Sequence, residues 1–135
     1  MSVFLDACAI IYRVDAVEPY LSRLKAAFAR LHSGSRPAGL AISRLSLLEC
    51  RVQPLRKKEK PLLAPYEEFF STPGLQIIGL DSEVVDRATI VRAQTNLPTP
   101  DALQAACALS IADEVRFVTS DRQFKRVAGL NVELL

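Results

Sequence analysis

The sequence predicts an α/β fold, a three-layer α/β/α sandwich in which helices cover both faces of a mainly parallel central sheet. Short apolar segments that suit buried strands alternate along the chain with longer segments whose apolar residues recur at helical spacing. The chain has 135 residues, of which 50% are hydrophobic and 24% charged, a composition typical of globular proteins. We therefore expect residues 1–135 to form a single domain.

The N-terminal half begins with a short buried strand, SVFL. The next predicted element is the helix PYLSRLKAAFARLHS, which ends near Gly34 and whose apolar residues lie at helical spacing (Leu21, Leu24, Phe28 and Leu31). GLAI is the second strand, and Ser43 can cap the helix RLSLLECRV that follows. An exposed basic run, RKKEKP, then leads into a further helix, LLAPYEEFFS.

The C-terminal half continues the alternation of strands and helices. LQIIGL is a strand, and SEVVDRATIVRAQT is a helix capped by Asp81 or Ser82. The next helix, within LPTPDALQAACALSIA, is apolar nearly all round. If Thr99 caps it, Pro100 takes the first helical position and Asp101 the second. VRFVTS and NVELL are the last two strands.

Bulk properties exclude several classes of protein. A formal net charge of +2 does not indicate a nucleic-acid binder, so such a role must come from local patches. The N-terminus has no basic leader, and no apolar stretch reaches the ~18 residues of a membrane span, so we expect a cytoplasmic protein that avoids the membrane. Cys8, Cys50 and Cys107 form no CxxC pair and are predicted to be small buried hydrophobes.

Three acidic residues occur at informative positions of this scaffold. Asp6 and Asp121 each follow a predicted strand, and ligands of open α/β sheets bind at the carboxyl ends of the strands. Glu49 shares the predicted inward helix face with Leu45, Leu48 and Val52. Either it belongs to a buried ion pair or the helix is rotated outward, or it is a cation ligand or catalytic group in a cleft.

Asp101 is the fourth acid. A carboxylate in the first helical turn meets the positive end of the helix dipole, which favours the ionised form, and this alone could account for it. The apolar helix behind it, however, indicates that Asp101 lies close to the same edge of the sheet.

Four acids from four segments can therefore converge. Without a counter-charge they would repel each other, and a hard divalent cation such as Mg²⁺ or Mn²⁺, which prefers oxygen ligands, would resolve this repulsion. Such a cation can activate water and stabilise charge on a phosphate, so the pattern favours metal-assisted hydrolysis of a phosphodiester.

The segments that carry these acids resemble the landmarks of the PIN domain family, and in particular the VapC-type toxins of prokaryotic toxin–antitoxin pairs. They are FLDACAIIY with Asp6, the helix with Glu49, LPTPDALQAACAL with Asp101, and FVTSDRQF with Asp121. The resemblance covers essentially the whole chain. The third and fourth segments are its most specific parts.

The resemblance implies an Mg²⁺- or Mn²⁺-dependent endoribonuclease in which Asp6, Glu49, Asp101 and Asp121 are the catalytic acids and metal ligands, one or more of them positioning the attacking water. It also implies a homodimer that a cognate antitoxin protein holds inactive. Thr119 and Ser120 lie beside these acids, where they either hydrogen-bond an acid or a phosphate or simply shape a turn.

Two positions depart from the family pattern. Cys8 stands where a small hydroxyl residue is common, and Gln123 where a further acid is common. Since all four main acids are present, we expect an active site. The alternative is a PIN-like module that binds RNA or a protein without cutting. A phospho-receiver domain would need paired acids after the first strand, where the sequence has Asp6 alone.

Basic residues supply candidate phosphate contacts. The run Arg56, Lys57, Lys58 and Lys60 could bind the RNA backbone, with Arg44 and Arg51 upstream, or it could be a solvated face. Arg122 follows Asp121 directly and, with Lys125 and Arg126, either flanks the substrate groove or lies outside it.

Overall fold

A computed structural model describes residues 1–34 and 36–135, without the side chain of Lys60, so the phosphate contact predicted for Lys60 lies outside the described part. The strands are β1 (Ser2–Leu5), β2 (Gly39–Ser43), β3 (Gln76–Ile78), β4 (Val115–Thr119) and β5 (Val132–Leu134). The helices are α1 (Ala7–Val14), α2 (Tyr20–Leu31), α3 (Arg44–Arg56), α4 (Ala64–Phe70), α5 (Ser82–Thr95) and α6 (Thr99–Leu109). Short 3-10 helices span Lys60–Leu62 and Arg122–Arg126.

The five strands form one sheet in the order β3-β2-β1-β4-β5, and every neighbouring pair is parallel. Residues of β1 alternate between the two faces, as the period of two requires. Val3 and Leu5 pack with buried residues of α1, α2, α3 and α4, whereas Phe4 packs with those of α5 and α6. The predicted three-layer sandwich with a parallel sheet is confirmed.

Aromatic rings pack together in the core on the side of the sheet that α5 and α6 cover. The register places Phe4 between Ala41 of β2 and Phe117 of β4. The rings of Phe4 and Phe117 stack with centroids 5.4 Å apart, and the ring centroid of Phe124 lies 4.6 Å from that of Phe117. Because Phe124 belongs to the 3-10 helix after β4, its burial holds the segment that follows Asp121 against the sheet.

The helix α1 was not predicted, because its apolar residues continue the apolar run of β1 in the sequence. Asp6 separates the two elements: its backbone is extended, and its carboxylate accepts a hydrogen bond from the Ala7 N–H, which makes it the N-cap of α1. Asp81, rather than Ser82, caps α5 through a 2.9 Å hydrogen bond from the Val84 N–H.

The predicted inward face of α3 is wrong. Leu48 is 59% exposed, and the buried residues of α3 are Ser46, Leu47, Cys50 and Pro54. The helix is rotated because its small and polar residues face α6, where Gln104 donates a hydrogen bond to Ser46. An apolar stripe of α3 is thereby left facing outward, and Glu49 lies half-buried at the margin of the buried face.

The predicted start of α6 is also wrong by one residue. Pro98 occupies the N-cap position, Thr99 is the first helical residue, and Asp101 is therefore the third rather than the second. The Thr99 hydroxyl does not cap the helix but accepts a hydrogen bond from Nε of Arg92 at 3.2 Å.

No helix within the described ranges is long and apolar enough to cross a membrane.

Candidate functional site

The topology brings the segments that carry the four acids to one edge of the sheet. β1 lies between β2 and β4, and all three run in the same direction, so their carboxyl ends are adjacent. Asp6 follows β1, α3 with Glu49 follows β2, and Asp121 follows β4. Asp101 comes to the same region from the first turn of α6.

Asp6 is the most constrained of the four. Only 8% of the residue is exposed. Its Oδ1 accepts a 2.8 Å hydrogen bond from the Ala7 N–H, and its Oδ2 accepts one of 2.8 Å from the Thr119 hydroxyl. Burial raises the pKa of this carboxyl from 3.8 to about 6, although hydrogen bonds from Thr119, Ala7 and Cys8 oppose the rise; the charge of Glu49 adds a smaller contribution in the same direction as burial.

Glu49 is held from the neighbouring helix. Its Oε1 accepts a 2.8 Å hydrogen bond from Nε2 of Gln104, which lies on α6. Gln104 is not among the site residues predicted from the sequence, although one signal marks it: it is a polar residue in the otherwise apolar stretch ALQAACAL, three positions after Asp101. That spacing places the two residues on one side of α6.

The charges of two neighbouring acids act on Asp101. Burial raises the pKa of Asp101, and the charges of Asp121 and then Glu49 raise it further. The helix dipole alone predicts easier ionisation of Asp101, but the net pKa shift is upward, because burial and the neighbouring carboxylates disfavour the charged form. Asp121 caps the 3-10 helix, since its Oδ1 accepts a 2.9 Å hydrogen bond from the Gln123 N–H.

Thr119 connects two of these acids. While its hydroxyl donates to Asp6, the same oxygen accepts a 3.1 Å hydrogen bond from the Asp121 N–H. Ser120 instead contacts Tyr12, with 2.8 Å between the two hydroxyl oxygens. Cys8 was predicted to be buried but is half-buried, with its Sγ 3.5 Å from Oδ2 of Asp6. Cys50 and Cys107 are buried, as predicted.

The acids are near one another without forming a closed cluster. Among the described residues, no three His, Cys, Asp or Glu side chains are grouped so that they could hold a metal ion as they stand. Within the same part of the chain, none of the four carboxylates pairs with a lysine or an arginine.

The chemistry of this donor set suits a hard divalent cation. The four side chains offer oxygen atoms alone, which Mg²⁺ and Mn²⁺ prefer. Burial, and then the charges of Asp121 and Glu49, raise the pKa of Asp101, and no described lysine or arginine side chain pairs with any of the four carboxylates. A bound cation would supply a compensating positive charge.

The basic residues lie at the far end of α3. Arg56 is the last residue of the helix, and Lys57 and Lys58 follow it, all three exposed. Lys57 and Glu49 line a common cavity of about 370 Å³. Arg122 is exposed at the start of the 3-10 helix after Asp121. The structure therefore places cationic side chains near two of the four acids.

Comparison with known proteins agrees with this architecture. The PIN domain family model matches residues 3–130. No curated protein matches the chain.

Solved structures share the fold. A chain of the Rickettsia felis VapBC2 complex, bound to a DNA fragment from its promoter, has a TM-score of 0.74 at 22% identity, covering 99% of this chain and 98% of that one. The Mycobacterium tuberculosis toxin VapC20, which cleaves the sarcin–ricin loop, has a TM-score of 0.70 at 17% identity, covering 96% of each chain. VapBC-1 from nontypeable Haemophilus influenzae has a TM-score of 0.70 at 16% identity, covering 99% and 98%.

Proposed function

Because this chain belongs to the PIN domain family, we propose that it is a metal-dependent endoribonuclease, the toxin of a toxin–antitoxin pair. The observation that carries the proposal is the approach of four carboxylates at the carboxyl ends of adjacent parallel strands, without a basic partner among the described side chains. The RNA-cleaving activity of the M. tuberculosis structural neighbour supports the choice of RNA as substrate.

The proposed metal ligands are Asp6, Glu49, Asp101 and Asp121. When bound, Mg²⁺ or Mn²⁺ supplies positive charge that activates water and offsets the charge that develops on the phosphate. Hydrogen bonds from the Ala7 N–H and the Thr119 hydroxyl hold the Asp6 carboxylate in a fixed orientation for such a cation. Since burial raises the pKa of Asp6 to about 6, a nearby positive charge would lower this pKa and favour the ionised carboxylate.

The exposed cations would bind the substrate backbone. Arg56 is seven residues beyond Glu49 on α3, a rise of about 10 Å along the helix axis. We propose that Arg56, Lys57 and Lys58, together with Arg122 next to Asp121, contact RNA phosphates. Such contacts give affinity that falls with rising salt concentration, and they leave sequence preference to other groups.

RNA cleavage tests the proposal. Purified protein is incubated with a mixed pool of tRNA and rRNA in Mg²⁺, in Mn²⁺ or in EDTA, alongside Asp6→Asn and the control Asp86→Asn, which changes an exposed acid of α5. We expect discrete fragments from the wild type and the control, with metal only. Fragments in EDTA, or full cleavage by Asp6→Asn, would contradict the four-acid site. Intact RNA with a folded, metal-loaded protein would instead favour the non-cleaving binding module.

We also propose that the protein forms a homodimer through α3. Leu48 and Leu55 are each 59% exposed and lie seven residues apart, on one face of the helix with the half-buried Val52. An apolar stripe of this kind suits a symmetric contact in which the same surface of a second copy covers it.

Replacing Leu48 with Glu tests the dimer. Two carboxylates would be buried against apolar surface at each symmetric contact, so we expect the variant to be monomeric at concentrations where the wild type is dimeric. Light scattering after size-exclusion chromatography measures the mass, and Val85→Glu, at an exposed residue of α5, is the matched control. A wild type that is monomeric, or a dimer that Leu48→Glu leaves intact, would contradict this surface.

The proposed partner is a cognate antitoxin protein. Structural neighbours from Rickettsia felis and Klebsiella pneumoniae were solved as toxin–antitoxin complexes, which supports a partner of this class.

A further inference from the structure

Gln104 joins two helices at the candidate site through a single amide. Only 1% of the residue is exposed. Its Nε2 donates to Oε1 of Glu49 at 2.8 Å and to Oγ of Ser46 at 2.9 Å, and both acceptors belong to α3. One donor group of α6 therefore contacts a proposed ligand that α3 supplies.

Packing gives no reason for an amide at this position. The residues of α6 that share its burial are Ala102, Ala105, Ala106, Cys107 and Ala108, all apolar. Within the described part of the chain, the Gln104 Oε1 is buried and has no hydrogen-bond partner, which costs desolvation free energy. A methionine would fill a similar volume without that cost, so what the amide adds is its N–H groups.

We propose that Gln104 is a positioning residue that holds the Glu49 carboxylate in a metal-competent orientation. The proposal rests on the proposed function, because it assumes that Glu49 is a ligand. The amide occupies Oε1 of Glu49 and restricts its side-chain rotamers, which leaves Oε2 for other contacts. Since Asp101 lies one helical turn earlier, α6 supplies one acid directly and orients a second through Gln104.

The test measures Mn²⁺ binding to the full chain by isothermal titration calorimetry. Gln104→Met removes the donor at similar volume, and we expect it to raise the Kd for Mn²⁺ about 10- to 100-fold. Ser46→Ala is the matched control, because it removes the other acceptor and leaves the Glu49 contact; its Kd should stay at the wild-type value. In a Glu49→Gln background, Gln104→Met should cause no further loss.

The possible outcomes distinguish a failure of the role of Gln104 from a failure of the four-acid site. Wild-type protein that binds no Mn²⁺, or Glu49→Gln with wild-type affinity, would overturn the four-acid site and the role of Gln104 with it. A loss in Glu49→Gln but none in Gln104→Met would overturn only the role of Gln104. Equal losses from Gln104→Met in both backgrounds, or from Ser46→Ala, would show a purely structural link between α3 and α6. Circular dichroism checks folding, and Gln104→Leu replaces Gln104→Met should the latter not fold.

Discussion

Mn²⁺ is expected to raise the melting temperature of the wild-type protein by about 10 °C, and Asp101→Asn is expected to lose most of that gain. A ligand at 100 times its Kd stabilises the native state by about 2.7 kcal/mol, which corresponds to roughly 10 °C in a chain of this size. Asp101 is chosen because, beside burial, the charges of both Asp121 and Glu49 raise its pKa, so a bound cation would relieve repulsion at this carboxylate.

Differential scanning fluorimetry over a Mn²⁺ titration measures this effect. Asp86→Asn, the same change at an exposed position outside the site, should keep the full gain. Equal gains in the wild type and in Asp101→Asn would place the stabilising ion elsewhere on the surface.

In EDTA, the free energy of unfolding of the wild type should fall by about 2 kcal/mol relative to Asp6→Asn as the pH rises from 4 to 8. The folded-state pKa of Asp6 is about 6, above the ordinary value of 3.8, so the folded state binds the Asp6 proton more tightly than the unfolded state does. The stability contributed by that proton is complete below pH 3.8 and is lost as the pH passes through 6.

Urea denaturation of both proteins across this pH range provides the comparison. Other groups titrate in both proteins alike, so the difference between the two curves reports Asp6. A difference that stays constant from pH 4 to 8 would mean that Asp6 ionises in the folded protein as it does in a solvated peptide. Mn²⁺ should reduce the difference at pH 8, because a bound cation offsets the charge of the buried carboxylate.

The order of strands and helices could be predicted because the apolar period changes clearly along the chain. The prediction failed at α1, because the apolar residues after Asp6 suit a strand and a helix equally. Only the capping geometry of Asp6 distinguishes the helix from a continued strand. The prediction failed again at α3. Leu48 belongs to an apolar stripe that predicts a buried face. The face that is buried instead contains Ser46, which contacts Gln104, and apolar periodicity does not reveal such a polar contact.

In the candidate site, the positions of the acids could be predicted from the sequence, whereas the contacts among the site residues could not. Asp6 and Asp121 could be placed from the sequence because Asp6 directly follows β1 and Asp121 lies two residues after β4, and strand ends in a parallel sheet share an edge. The hydrogen bonds among the site residues could not be predicted. The Thr119 hydroxyl contacts both Asp6, which is 113 residues away in the sequence, and the N–H of Asp121, which is two residues away. Such contacts depend on the register between β1 and β4, and the sequence alone does not specify that register.

Anomalous diffraction from crystals grown with saturating Mn²⁺ would test the four-acid site most directly. We predict an anomalous peak at the carboxyl ends of β1 and β4, with carboxylate oxygens of Asp6 and of at least one of Glu49, Asp101 and Asp121 within about 2.5 Å. A peak among other carboxylates of the chain, or none at a concentration that saturates binding in solution, would contradict this prediction.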